Sequence, residues 1–194
     1  ADDTTVEDDG RMTRDEFFTH LANDPKLPRT SQPSPAAFME AYADAELAGE
    51  EAVVITVAAK LSGTYQSAKL AAEDVDTKVY VIDSETATQG EALIVREALR
   101  LREEGLTAGE IAEALERFKK RIRIVAVVDS LKHLHKGGRI PAAVAIVGGA
   151  LGIKPVIALY DSTVKLAGKG RGRPGAMVAM FKQLDELGGI DTDY

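Results

Sequence analysis

The chain has 194 residues, 45% hydrophobic and 28% charged, enough apolar material for a substantial core in one domain or two small ones. A net charge of −7 argues against a nonspecific nucleic-acid binder, whose affinity comes from basic residues neutralising phosphates. The absence of Cys excludes disulfides and thiolate metal sites, and no uninterrupted apolar run approaches a membrane span.

Residues 1–10 are rich in Asp and Glu with little to bury and read as a mobile acidic arm; nothing there resembles a basic-then-apolar secretion signal, so a cytoplasmic protein is expected. Thr13 and Glu16 form a capping box ahead of Phe17, Phe18 and Leu21, which predicts a short amphipathic helix over 13–23. Ser34 and Pro35 read as the cap and first residue of a second helix over 35–48, with Phe38, Met39 and Tyr42 on one side and Gly49 as its terminator. The runs 52–57 and 79–82 are β-branched and unbroken by polar alternation, as parallel strands covered on both faces tend to be. Helices follow over 91–103, stopped by Gly105, and beyond the Thr107/Glu110 capping box, where Ile111, Leu115 and Phe118 share a face.

From Ile122 the pattern changes to a strand over 122–128, a basic turn, a Gly/Ala-rich apolar stretch and a hairpin of strands 156–160 and 164–167. The expected architecture is therefore α/β: a parallel-sheet lobe with flanking helices over 1–121, then a second, mixed α/β lobe over 122–194.

Chemistry is suggested first by Leu61-Ser62-Gly63-Thr64-Tyr65-Gln66-Ser67-Ala68, where a strand turns through Ser-Gly into a helix. Unpaired amides and the peptide dipoles at such a helix start favour an anion. The alternative is that Ser62 simply caps the helix. A second hydroxyl-rich loop, Thr30-Ser31-Gln32-Pro33-Ser34, lies at another helix entrance, and the two could share one ligand. Further on, in Lys136-Gly137-Gly138-Arg139, the Gly pair lets the backbone bend while the guanidinium reaches a carboxylate or phosphate; a surface turn with a salt bridge is the alternative.

The ordered set TSQPS, LSGTYQSA, Asp83-Ser84, LKHLHKGGRI over 131–140 and Gly152-Ile153-Lys154-Pro155 resembles the DegV family of bacterial fatty-acid-binding proteins, which include carrier subunits of fatty acid kinase. The resemblance implies a DegV-like fold and a non-enzymatic carrier that binds a long-chain fatty acid and presents it to a separate ATP-binding kinase subunit. It assigns carboxylate binding to Thr30 and Ser62, close backbone approach to Gly63 and a head-group contact to Arg139, with Arg171 and Arg173 facing the kinase subunit. It implies no cofactor, no metal and no catalytic residue. Hydrogen bonds to a charged group contribute roughly 1.5–3 kcal/mol each, and each buried methylene roughly 0.8 kcal/mol, so the tail would supply most of the affinity and the hydroxyls the orientation. Val144, Ile146, Val147, Leu151, Ile153, Val156 and Ile157, interleaved with Gly148, Gly149 and Ala150, are candidates for an acyl tunnel or for plain core.

The family's opening strand and closing segment have no counterpart here, so the chain looks incomplete at both ends, and a homodimer or low stability is expected. Other readings compete. Gly170-Arg171-Gly172-Arg173-Pro174-Gly175 fits G-x-G-x-x-G, the mark of a nucleotide-dependent phosphoryl-transfer or redox enzyme, but the strand before it looks like half of a hairpin. Tyr65 and Lys69 have a dehydrogenase-like spacing without an upstream nucleotide loop, and Asp83-Ser84 ends a parallel strand at its carboxyl edge or caps the next element. His133 and His135 point to opposite sides of a strand or helix and make poor metal partners. An inert truncated fragment is the third possibility.

Overall fold

A computed structural model of the chain describes residues 10–23, 26, 28–145 and 152–191, which belong to two compact units, Ala1–Ser31 and Gln32–Tyr194. In the first, helix α1 (Arg14–Asn23) opens with the expected capping box: the Thr13 hydroxyl accepts from the Glu16 amide at 3.3 Å and the Glu16 carboxylate accepts from the Thr13 amide at 2.8 Å. The amphipathic face expected of α1 does not form a buried stripe. Phe17 and Phe18 pack on each other instead: their rings meet edge to face at 5.6 Å and stay 43% and 55% exposed. The acidic residues 1–9 lie outside the described residues.

The second unit begins with α2 (Pro35–Ala48), capped by Ser34, whose hydroxyl accepts from the Ala37 amide, and ended by Gly49 in the left-handed conformation. Tyr42 is the buried residue of α2 and donates its hydroxyl to the Ala68 carbonyl of α3 (Thr64–Ala72) at 3.2 Å, fixing the two helices together. Burial also pushes the Tyr42 phenol above its ordinary pKa.

Strands β1 (Ala52–Thr56) and β2 (Val79–Asp83) pair in parallel, Thr56 opposite Asp83 at their carboxyl ends. Their residues Val53, Ile55, Tyr80 and Ile82 pack on α4 (Gln89–Glu103) and α5 (Ala108–Phe118) around Ile94, Leu101, Ile111, Leu115 and Phe118. Ile94 and Leu115 are fully enclosed, and the Thr107/Glu110 capping box starts α5 as its spacing requires. The pair is less covered than its unbroken apolar runs suggest. Within it only Thr56 and Ile82 are buried and the rest are half-buried, because a two-stranded sheet leaves part of each strand without a neighbour.

After a turn of 3₁₀ helix (Lys119–Arg121) the chain enters an antiparallel sheet ordered β3-β4-β5, with β3 at Ile124–Val127, β4 at Ile153–Tyr160 and β5 at Thr163–Arg171. The β4–β5 hairpin turns at Asp161 and Ser162, both with positive φ, as a primed two-residue turn requires. The strands are longer than the sequence pattern shows. Gly168 and Gly170 interrupt the apolar run, but they pair with Val156 and Lys154 and lie under α8 (Gly172–Glu186). Between β3 and β4, the stretch read as a basic turn and the Gly/Ala-rich stretch after it each begin in a short helix, α6 (Lys132–Lys136) and α7 (Ala142–Ala145). Among the described residues no helix is long and apolar enough to cross a membrane.

Candidate functional site

The loops that leave the carboxyl ends of β1 and β2 are bound to each other. Ser84 donates its amide to the Thr56 carbonyl at 3.1 Å, Ala58 donates to the Thr86 carbonyl at 2.8 Å, and Ala59 donates to a carboxylate oxygen of Asp83 at 3.1 Å. This is the edge at which open α/β sheets collect ligands. The β1–α3 loop then tightens: the amides of Leu61 and Ser62 both donate to the Ala58 carbonyl, and Gly63 becomes the residue that caps α3. Ser62 therefore sits one position before the cap. Its hydroxyl lies 2.8 Å from that of Thr64 and accepts from the Thr64 amide at 3.3 Å, a local turn at the helix entrance. No partner for the first-turn amides of Tyr65 and Gln66 occurs among the described residues, which leaves them available at the positive end of the helix.

Arg139 is brought to this edge from 78 residues away in sequence: its Nε donates to the Leu61 carbonyl at 3.1 Å, and its Nη1 donates to the Gly137 carbonyl. The bend that allows this follows α6, where Gly137 caps the helix and Gly138 takes a φ of 77°. Two of the guanidinium's contacts thus go to backbone carbonyls, which fix the plane of the group while its exposed side faces solvent. Arg139 is consequently tied, within one unit, to the residue that precedes Ser62 and Gly63. Gln32, from the TSQPS segment, completes the group, with its side-chain amide packed over the α-carbon of Gly63. Thr30 lies in the other unit, exposed, two residues before Gln32.

Sequence reasoning passed over Gln32 as a site residue, although it stands in the very loop singled out for its hydroxyls; the signal was there in a side chain long enough to cross to the glycine. Thr64 was likewise inside a quoted motif. Asp83 and Ser84 act as a turn: Asp83 accepts from the Glu85 amide at 2.9 Å, while the enclosed Ser84 exchanges hydrogen bonds with Thr86.

Beside the 61–63 turn lies an apolar cluster in which Leu61 and Ala87 meet Leu131, Leu134, Ile140, Val144, Ile157, Leu159 and Val164. Of the candidate tunnel residues, Val144 and Ile157 belong to it, Val156 is fully buried in β4, and Ile146, Val147, Gly148, Gly149, Ala150 and Leu151 lie outside the described residues.

The remaining candidates separate from this edge. Arg171 and Arg173 are exposed at the junction of β5 and α8. Near them, Lys154 pairs with Asp129 at 2.7 Å and, with a smaller contribution from Arg173, lowers the Asp129 carboxyl below its ordinary pKa. The G-x-G-x-x-G loop is not a nucleotide fingerprint, since β5 is antiparallel to its neighbour and the glycines are consumed in packing: a Cβ at Gly170 would lie 2.1 Å from the backbone of Gly175. Lys69 stands over the Tyr65 ring at 5.9 Å, a surface cation–π contact. Among the described residues no group of three or more potential ligands could hold a metal ion.

The family model of the DegV family, described as uncharacterised proteins, matches residues 1–191, and the chain belongs to that family. It is 36% identical over 180 residues to a DegV domain-containing protein of Caldanaerobacter subterraneus, covering 89% of this chain and 64% of the relative. Among solved structures it resembles a fatty-acid-binding DegV family protein from Thermus thermophilus (TM-score 0.80, 35% identity, 89% of this chain and 62% of that one). It also resembles the Fatty Acid Kinase B3 protein of Streptococcus pneumoniae, solved with linoleic acid (TM-score 0.80, 28% identity, 90% and 63%). The chain thus spans a little under two thirds of the length of each of these proteins.

Proposed function

We propose that this chain binds a long-chain fatty acid through its carboxylate and acts as a carrier without catalytic chemistry of its own. The observation that carries the reading is the convergence of Ser62, Gly63 and Arg139 at the carboxyl edge of the parallel pair, where the Arg139 guanidinium is held by the Leu61 carbonyl. Ser62 Oγ and the free first-turn amides of α3 supply hydrogen bonds to a carboxylate, Arg139 supplies charge, and Gly63 lets the head group approach the backbone. The apolar cluster that includes Leu61 and Ile157 lies beside this turn and is the material between which an acyl chain would have to insert. The solved relatives named with fatty acids support the ligand class, and the kinase protein among them supports a partner. The partner proposed is an ATP-binding fatty acid kinase subunit, met at the exposed arginines Arg171 and Arg173.

Native mass spectrometry of freshly purified protein tests this directly. A mass increment equal to a fatty acid, removed by delipidation and restored by adding palmitate, is expected. A nucleotide increment would favour the enzymatic reading, and a protein that stays empty in excess palmitate would overturn the carrier reading. Pull-down of a fatty acid kinase subunit that weakens in Arg171→Ala/Arg173→Ala tests the partner; unaltered capture removes those arginines from the interface.

A further inference from the structure

We propose that Asp83 is a positioning residue for carboxylate recognition, holding the 58–63 turn in its binding geometry from the neighbouring strand; this rests on the fatty-acid reading above. Asp83 is the last residue of β2 and lies in register with Thr56, the last residue of β1. One of its carboxylate oxygens accepts two backbone amides, that of Ala59 at 3.1 Å and that of Glu85 at 2.9 Å, so a single atom joins the two loops. The adjacent amide, Ala58, is held by the Thr86 carbonyl, and the Ala58 carbonyl in turn accepts from Leu61 and Ser62. Each bond between Asp83 and the Ser62 hydroxyl is thus part of one short backbone chain. Movement at Ala59 displaces the Ser62 hydroxyl and the Leu61 carbonyl that seats Arg139 together.

The loop behind Asp83 is built to resist such movement. Glu85 and Thr88 are held at φ of 56° and 53°, unfavourable for side chains of these types, and the Thr86 hydroxyl is buried with no partner among the described residues. Such a conformation persists only where its surroundings over-determine it. Here Lys119 pairs with Glu85 at 3.2 Å and donates to the Asp83 carbonyl at 2.9 Å, Lys120 pairs with Glu85 at 2.6 Å, and the Glu85 carbonyl accepts from Ser162 at the tip of the β4–β5 hairpin. The antiparallel sheet therefore buttresses the loop that holds the ligand turn. An acceptor-only side chain suits position 83 because both groups facing that oxygen are donors.

The test compares palmitate with its neutral methyl ester in the full chain, for wild type, Asp83→Ala, Asp83→Asn and Asp83→Glu, with thermal melting of each. Loss of positioning lowers palmitate affinity about tenfold in Asp83→Ala and leaves the ester, which lacks the charged head group, nearly unchanged. Asp83→Asn, which retains an acceptor oxygen at the same place, restores most of the acid-over-ester preference. Should Asp83→Ala not fold, Asp83→Glu serves instead: it keeps charge and acceptors on a longer arm, and the preference falls several-fold. Equal weakening of both ligands, or an unchanged preference in Asp83→Ala and Asp83→Glu, overturns the proposal. A wild type that binds acid and ester alike overturns the carboxylate reading itself and is distinguished by needing no variant.

Discussion

Two strand-to-helix turns in this chain look alike in sequence and do opposite work. Both carry glycine where the chain passes from a strand to a helix: Leu61-Ser62-Gly63 before α3, and Gly170-Arg171-Gly172 at the passage from β5 to α8. At the first, Gly63 has an ordinary φ of −72°, and what crowds it is the tip of a flexible side chain, Gln32, 2.8 Å from where a Cβ would stand. At the second, the space around Gly170 is filled by backbone, 2.1 Å away at Gly175. One glycine has against it a side chain that can turn aside; the other lets a helix sit directly on a strand. The difference comes from the sheets. A parallel strand delivers its turn to an edge where neighbouring loops converge, whereas the antiparallel hairpin uses its end to anchor a covering helix.

The sharpest way to break this comparison is Gly170→Ala. A methyl group there overlaps backbone that cannot step aside, so the variant should lose roughly 3 kcal/mol, read as a lowered denaturant midpoint at unchanged slope. Wild-type stability would mean that the second turn also has room. Next, Ser62→Ala should weaken palmitate binding by about tenfold with its melting temperature unchanged, because among the described residues the hydroxyl's hydrogen bonds go to Thr64 alone. Undiminished affinity would remove Ser62 from the site.

Glu85→Gln sharpens the comparison through pH. Burial pushes the Glu85 carboxyl up, but hydrogen bonds and ion pairs with Lys120 and Lys119 outweigh it and hold the group below its ordinary 4.5. The unfolded chain therefore takes up this proton first, so the stability Glu85 contributes is present above pH 4.5 and lost as pH falls through the lowered value. Lys119 runs the other way. Although burial disfavours its charge, Glu116 and Glu85 raise it above 10.5, and its contribution is lost on passing that value upward. The gap in melting temperature between wild type and Glu85→Gln should be widest between these limits and close on acidification; a gap independent of pH would contradict the clasp. Smallest of all, Gly63→Ala should change stability by no more than about 0.5 kcal/mol while reducing palmitate affinity a few-fold, since Gln32 must turn aside.

What could be read from the sequence was local. Ser34 with Pro35, Thr107 with Glu110, Gly49 and the hairpin at Asp161 announce themselves within four residues, because caps and turns are satisfied by near neighbours. The alternation of strands and helices likewise carried the parallel pair. The site was legible only in its pieces. Ser62 and Gly63 are marked by their turn and Arg139 by its glycines, but the bond from Arg139 to Leu61 and that from Ala59 to Asp83 join residues far apart in the chain, and no periodicity encodes such a meeting. The missing buried face of α1 was not legible either: Phe17 and Phe18 look like core material in composition, yet their rings pack on each other and stay about half exposed.

The central claim, a fatty-acid carboxylate seated between Ser62 and Arg139, is tested most directly by NMR of carboxyl-labelled palmitate bound to the protein. A single bound carboxyl resonance is expected, shifted from that of free palmitate and moved again by Ser62→Ala and by Arg139→Lys. A bound resonance that neither substitution moves would place the head group elsewhere.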